Sequence, residues 1–543
     1  MSTQTIPTPA TVEVVRHAFM SGAEQMRRNL CRSAYSPVIY EMKDCSVGLY
    51  DVRGDLLGQA PGLPFFLGSL AGTIKLAIEQ VGLDAFSDGD VWVVNDSAIC
   101  GSHLNDVTLF APVFVDGELR GFTASKAHWN DIGAKEAGYV SDSVDIFQEG
   151  LRIPPMRIIH AGESDRRLID MIALNSRYPT ELVGDMMAQV TACRTGVERF
   201  RSIVARYGWE QVEAATERFF AQAEAEDRAA VASIPDGTYR AEGALDNDGI
   251  NADPVPVVVT VTIDGDRMIV DLEGSSPENE GSVNSGIVQT HSAIQQAFKF
   301  VVNPDAPVCG GNFRNLEIVV PKGSCFDPSP TAACLHYGPH LMLAMDLLVR
   351  ALSEAIPERT AAGHVGDSWN ITFVNERGHA PFLCGESLIG GWGAHPGGDG
   401  ESALVHSAAG DFKNFPVEII EQRYPLRLRE FSLREGSGGA GAHRGGLGTV
   451  RVYETTDACR LSLWFERHDT PSWGLAGGGD GAPPEVWVTR PGGERELVLK
   501  CNALAVEAGT VIEVLTGGGG GWGDPAQRSA QSVAEDRRLG LIS

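Results

Sequence analysis

The stretch from Gly101 to Asp131, GSHLNDVTLFAPVFVDGELRGFTASKAHWND, constrains this chain more than any other. Two strand-like runs, VTLFAPVFV and ELRGFTASKAH, flank Asp116-Gly117, a dipeptide that tolerates positive φ and so marks a hairpin turn. The hairpin brings its ends together, and those ends carry His103, Asp106 and His128, with Asp131 just beyond. Register decides whether the side chains meet, because successive strand residues point to opposite faces. A two-residue loop pairs Val115 with Glu118, sets Asp106 opposite Ala127 and turns His128 away. A three-residue loop, Val115 to Gly117, pairs Phe114 with Glu118, sets Asp106 opposite Lys126 and leaves His128 diagonally on the same face. The three-residue loop is the expected one, since it keeps the cluster intact as a metal site.

With 543 residues, of which 43% are hydrophobic, the chain is long enough for more than one folded region sharing large interfaces. Lys and Arg total 44 against 71 Asp and Glu, a net charge of −27, which repels phosphate backbones and anionic membranes. Nucleic-acid and membrane partners are therefore not expected. The most apolar run, VPVVVTVTI from Val255, is far too short to span a bilayer, and no charged-then-apolar leader opens the chain. A soluble, cytoplasmic protein is expected. Ten scattered cysteines without a CxxC pair suggest neither a disulfide framework nor a thiolate zinc site.

Taken in order, residues 1 to 9 read as a loose arm. From Thr11 the residues Val12, Val15, Phe19, Ala23, Met26 and Leu30 recur at helical spacing until Pro37. A hairpin turning near Arg53-Gly54 follows, with Asp44 just before its first strand. A short helix over Ile74 to Val81 and a strand ending at Asn95-Asp96 lead to His103. The segment GYVSDSVDIFQEGLRIPP reads as an irregular wall or lid of the site. Helical spacing from Asp165 to about Ala232 predicts a helical layer, closed by Pro235-Asp236-Gly237. Beyond it come antiparallel strands, helices from about Thr290 to Val302 and His340 to Ile356, and a β-rich, glycine-rich final third. The expected fold is α+β, with antiparallel and mixed sheets, divided into residues 1–233, 234–409 and 410–543. The glycine clusters near 436–448, 474–484 and 517–525 lack the spacing of a nucleotide loop and read as tight turns. Asp96 reads as a turn cap, and His291, His336 and His340 as structural. Cys100 is a nucleophile only if its thiol pKa is depressed.

These motifs together resemble the hydantoinase-B/oxoprolinase family. The resemblance rests on VVNDSAICGSHLNDVTLFAPVF, EGLRIPP, NSRYP with GDMMAQ, VNPDAP, IGGWGAHPGGDG, FPVEIIEQRYPLRLREFSLREGSGGAGAHRGGLG and GGGGGWGDP, in that order over nearly the whole chain. It implies a divalent metal held by Asp44, His103, Asp106 and His128. It also implies a hetero-oligomer with an actin-like-fold, hydantoinase-A-type subunit that uses ATP to phosphorylate the substrate carbonyl oxygen. Trp129, in AHWNDIGA, stands where the family often carries a second histidine, which predicts a more apolar, substrate-facing wall.

Imidazole and carboxylate ligands without thiolate suit Zn²⁺, Mn²⁺ or Fe²⁺ and point to a catalytic site. On a hydrolytic reading the metal lowers the pKa of its water from about 16 toward about 7. Asp131, three beyond His128, is then a candidate either to support a ligand from behind or to act as general base, and Glu149 and Arg152 are candidate contacts for an anionic substrate. The expected function is the hydrolytic subunit of an ATP-dependent cyclic-amide hydrolase acting on a hydantoin, oxoproline or lactam. Two alternatives stand beside it: the carboxylating subunit of a ketone carboxylase, and a non-catalytic scaffold.

Overall fold

A computed structural model describes residues 7–375 and 381–542. The arm expected over residues 1 to 9 therefore lies, for its first six positions, outside the described residues. Thr8 caps helix α1 (Pro9–Ser33), its hydroxyl accepting from Thr11 N at 3.2 Å. The buried face of α1 carries the apolar set that the helical spacing predicts, Val12 through Leu30.

A seven-stranded antiparallel sheet forms the N-terminal platform. In chain order its strands are β1 (Cys45–Asp51), β2 (Leu56–Gln59), β3 (Val91–Val94), β4 (Asp106–Val115), β5 (Glu118–His128), β6 (Met156–His160) and β7 (Glu163–Ser164). Their spatial order is β2-β1-β5-β4-β3-β6-β7, so β1 lies directly beside β5. The helices are α2 (Pro37–Tyr40), α3 (Pro64–Val81), α4 (Ser97–Cys100), α5 (Arg166–Leu174), α6 (Pro179–Tyr207) and α7 (Trp209–Val231). Val107, Leu109 and Val113 point to the helical layer that contains α6, and Phe110, Phe122 and Ala124 pack with Leu70 and Ile74 of α3. With both faces covered, β4 and the far half of β5 are buried almost without interruption.

Helix α3 begins ten residues before the short helix read from the sequence. Pro64 opens it, and Gly68 and Gly72 let it approach α8 (Ile287–Val302). A Cβ on Gly68 would lie 2.1 Å from Ser292 Oγ, and one on Gly72 2.8 Å from Val288. Gly68 thus serves helix-to-helix contact.

The central hairpin departs from expectation in an instructive way. Asp116 (φ 53) and Gly117 (φ 80) form a two-residue turn, pairing Val115 with Glu118 and Phe114 with Leu119. Arg120 is then accommodated as an extra residue, and Val113 pairs with Gly121. This bulge shifts register by one, as a slip would, and sets Asp106 directly opposite His128. The three-residue loop is thus corrected to a two-residue turn plus a bulge. The side chains still share one face, now face to face across the ladder.

A second, mixed sheet has the order β11-β10-β9-β8, built from β8 (Gly237–Leu245), β9 (Val255–Asp264), β10 (Arg267–Asp271) and β11 (Leu316–Val319). Helices α8 and α9 (Pro339–Ala351) pack against each other, and α9 against β8 and β9. The third sheet, β13-β12-β16-β19, joins β12 (Asn370–Asn375) and β13 (Phe382–Ser387) to β16 (Cys459–Trp464) and β19 (Lys500–Val506). The boundary expected near 410 therefore cuts through hydrogen-bonded strands, and one core runs from Val38 to Val514. The fourth sheet, β14-β15-β20-β17-β18, uses β14 (Leu426–Leu433), β15 (Thr449–Thr455), β17 (Glu485–Thr489), β18 (Arg495–Leu497) and β20 (Val511–Leu515). Helices α10 (Val417–Arg423) and α11 (Ala530–Arg538) complete an α+β fold of four sheets among the described residues. The glycine clusters pack on one another through backbone: Gly519 N donates to Gly446 O, and Gly439 N to Gly519 O, both at 2.9 Å. No helix among the described residues is long and apolar enough to cross a membrane.

Candidate metal centre

Three adjacent strands set the site. β1 pairs Cys45 with Ala127, so Asp44, one residue before it, reaches His128, whose N–H donates to the Asp44 carbonyl at 3.2 Å. β4 sets Asp106 on the other side of His128. The short helix α4, capped by Asp96 through Ala98 N, delivers His103 from the preceding loop. His103 Nε2, Asp106 Oδ1 and His128 Nδ1 form a triangle with edges of 2.7, 3.2 and 3.1 Å. All three residues are buried.

The polar accounting of this triangle fits a bound cation. His103 Nδ1 lies 3.0 Å from the carbonyl of Leu335, which can only accept, so Nδ1 carries the proton and a neutral ring presents a lone pair at Nε2. That lone pair faces the Asp106 carboxylate, an acceptor opposite an acceptor unless a cation or a second proton lies between. Asp106 Oδ2 and Asp44 Oδ1 are buried without any hydrogen-bond partner among the described residues. Ligands held about 2.0–2.2 Å from one divalent ion sit roughly 3 Å from each other, as these three atoms do. Burial works against ionised Asp106, but the His103 and His128 imidazoles overcome it and hold its pKa below the usual carboxylate range. Asp44 is pushed up to about 7, by burial first and by Asp106, with His128 and Lys126 opposing. Asp44 lines the same cleft but stands outside the triangle.

The remaining sequence candidates fall elsewhere. Trp129 is fully buried in the α6-side core and donates its indole N–H to Gln189 Oε1 at 2.8 Å. The apolar substrate wall expected from it does not form, because the residue after His128 turns to the other side of the sheet. Asp131 accepts from Arg177 Nη1 at 2.8 Å and from Arg177 N at 2.5 Å, anchoring the NSRYP segment outside the cleft. Arg152 does not pair with Glu149; it forks onto both Asp96 oxygens at 3.1 and 3.0 Å. Glu149 is buried and accepts from Ser143 Oγ, Cys334 N and Leu335 N. It therefore fixes the turn whose Leu335 carbonyl orients His103. Cys100 is no nucleophile: burial pushes its thiol up to about 11.

Residues that the sequence reading passed over, and His336, which it read as structural, complete the cleft. Tyr139 stacks on His128 with centroids 6.0 Å apart, and Tyr337 meets His103 edge-on at 5.1 Å. Burial, with the Asp44 and Asp106 charges, holds both phenols well above their ordinary pKa, so they stay protonated. His336, Ser368 and Asn370 also line the cleft. Their segments lie more than 200 residues from the hairpin, and no local pattern marks them.

The described residues define a large α+β protein of four sheets with a candidate metal centre, the His-Asp-His triangle, at the floor of a cleft. The chain belongs to the hydantoinase B/oxoprolinase family, whose model matches residues 8–525. It is 31% identical to the caprolactamase subunit beta of Pseudomonas jessenii, over 98% of this chain and 94% of that one. It is 30% identical to 5-oxoprolinase 1 of Arabidopsis thaliana, covering 94% of this chain but 41% of that longer protein. The crystal structure of the ATP-dependent caprolactamase from Pseudomonas jessenii superposes with a TM-score of 0.91, at 30% identity, over 99% of this chain and 95% of that one. A nucleotide-free acetone carboxylase structure matches with a TM-score of 0.88 at 21% identity, over 98% of this chain and 78% of that one, a likeness of fold.

Proposed function

We propose that this chain is the metal-bearing hydrolytic subunit of an ATP-dependent cyclic-amide hydrolase. The observation that carries the reading is the buried triangle of His103, Asp106 and His128 at the floor of a cleft, with the Asp44 carboxylate beside it. The relatives support it: one is named a caprolactamase subunit beta and another a 5-oxoprolinase. His103, Asp106 and His128 would hold the ion, and Asp44 Oδ1, which has no hydrogen-bond partner among the described residues, would complete the set. A divalent ion there supplies Lewis acidity, polarising a carbonyl or phosphoryl oxygen and making water nucleophilic near neutral pH. Glu149 and the Leu335 carbonyl keep His103 in the tautomer that offers Nε2. Tyr139 and Tyr337 wall the site against bulk water. A partner subunit of actin-like fold uses ATP to phosphorylate the substrate's carbonyl oxygen, and the carbon so activated is attacked in this cleft.

Metal analysis of the wild-type chain beside His103→Ala and Asp106→Ala tests the ligand set. Bound metal near one equivalent is expected in wild type, and each variant is expected to lose it. Turnover of lactams, hydantoins and oxoproline is then measured with the partner subunit and ATP. Ring opening without bicarbonate supports the hydrolase, whereas bicarbonate-dependent incorporation of carbon into product would replace it with a carboxylase. A metal-free wild type with activity untouched by His103→Ala would leave only a scaffold.

A further inference from the structure

His336 is buried in the wall of the metal cleft, and its Nε2 has no hydrogen-bond partner among the described residues. Its Nδ1 lies 2.7 Å from the hydroxyl of Ser282, itself buried and with no other partner. If Nδ1 carried the proton, the Ser282 hydroxyl hydrogen would be left buried without an acceptor, an expensive arrangement. The Ser282 hydroxyl therefore donates to Nδ1, and Nε2 carries the hydrogen. A nitrogen so protonated cannot ligate a metal; it can only donate. Burial, reinforced by Lys500 and His103, keeps the ring neutral. The ring is clamped flat against Trp464 at 3.7 Å, and Lys500 lies 4.3 Å over the far indole. Tyr139 lies between the two walls, its ring 6.0 Å from both His128 and His336.

Two more donors share this wall. Ser387 Oγ donates to Asn370 Oδ1 at 3.1 Å, which leaves the Asn370 amide N–H₂ without a protein acceptor. Ser368 also lines the cleft, its backbone N–H donating to Asp367 Oδ1 and its hydroxyl without a hydrogen bond among the described residues. A wall of neutral donors without acceptors complements negatively charged oxygen, and its site is completed by what enters.

We propose that His336, Asn370 and Ser368 form a subsite for the phosphoryl group of an activated substrate, across Tyr139 from the metal triangle. The origin of that group rests on the hydrolase reading; the donor wall does not. The probe is therefore inorganic phosphate, titrated calorimetrically into the metal-loaded chain in complex with its partner. Wild type is expected to bind it. His336→Phe and Asn370→Ala are each expected to weaken binding on the order of tenfold to a hundredfold, the effect of one hydrogen bond to a charged group. Ser282→Ala frees the tautomer and is expected to weaken it less, and His336→Gln, which again presents an N–H, to restore part of it. Metal content and melting temperature are measured alongside and should stay at wild-type values for Asn370→Ala. Absence of phosphate binding by wild type, or unchanged binding by both His336→Phe and Asn370→Ala, would overturn the subsite. A complex that binds phosphate through these residues yet opens no cyclic amide would uphold the subsite and count against the hydrolase.

Discussion

At the scale of single residues, the most consequential side chain outside the triangle is Glu149. It holds Cys334 N and Leu335 N, and through the Leu335 carbonyl it sets the tautomer of His103. Glu149→Gln replaces a charged acceptor by a carboxamide whose N–H₂ meets backbone N–H, a loss of about 2–3 kcal/mol. Metal affinity is expected to fall by roughly 10- to 100-fold, the usual effect of removing a group that orients a ligand. Competition with a chelator measures it. Burial raises the Glu149 pKa from 4.5 to about 7. The folded state then binds more protons than the unfolded one between those values, so its contribution to stability is full below about pH 4.5 and is lost as pH rises to about 7. Urea midpoints across that range should decline more steeply in wild type than in Glu149→Gln, and equal slopes would refute the assignment.

At the scale of elements, the hairpin is decided by its bulge. Deleting Arg120 removes the extra residue but leaves Phe114 opposite Leu119 and Val113 opposite Gly121, so a regular ladder from the Asp116-Gly117 turn keeps Asp106 opposite His128. Metal binding should therefore survive in that variant while the strands still pair, as circular dichroism would report. Gly117→Ala is the control. Gly117 has φ 80 with nothing within 4 Å of an added Cβ, so the change should cost about 1 kcal/mol and leave metal content intact. Loss of metal binding after deletion of Arg120 would show that the local twist of the bulge, and not the pairing alone, sets the site.

At the scale of the whole molecule, sheet β13-β12-β16-β19 and the core from Val38 to Val514 make the three expected regions one cooperative body. Fragments 1–409 and 410–543 are expected not to fold when expressed apart, judged by proteolysis and heteronuclear spectra; an independently folded 410–543 would contradict this. Gly446→Ala places a Cβ 1.9 Å from Glu401 O, between backbones that cannot move aside, and should abolish soluble protein. What the sequence determined by itself is what local physics can carry. Helix α1 follows from a 3.6-residue apolar period, the hairpin from Asp116-Gly117, and the ligand chemistry from His103, Asp106 and His128 within one short stretch. The family was legible because its motifs recur in order along the chain. Tertiary structure decided the rest, for reasons no local pattern encodes. A bulge carries no fixed signature, so the register was misread at Arg120. The sequence reading misses the start of α3 at Pro64, and the role of Gly68 in it carries no local signal because its partner Ser292 is over 200 positions away. Trp129, Asp131 and Arg152 were drawn off to Gln189, Arg177 and Asp96 by packing. His336 reached the cleft only because separate segments fold around one core, and the hydrogen-bond accounting that gives it meaning exists only in three dimensions.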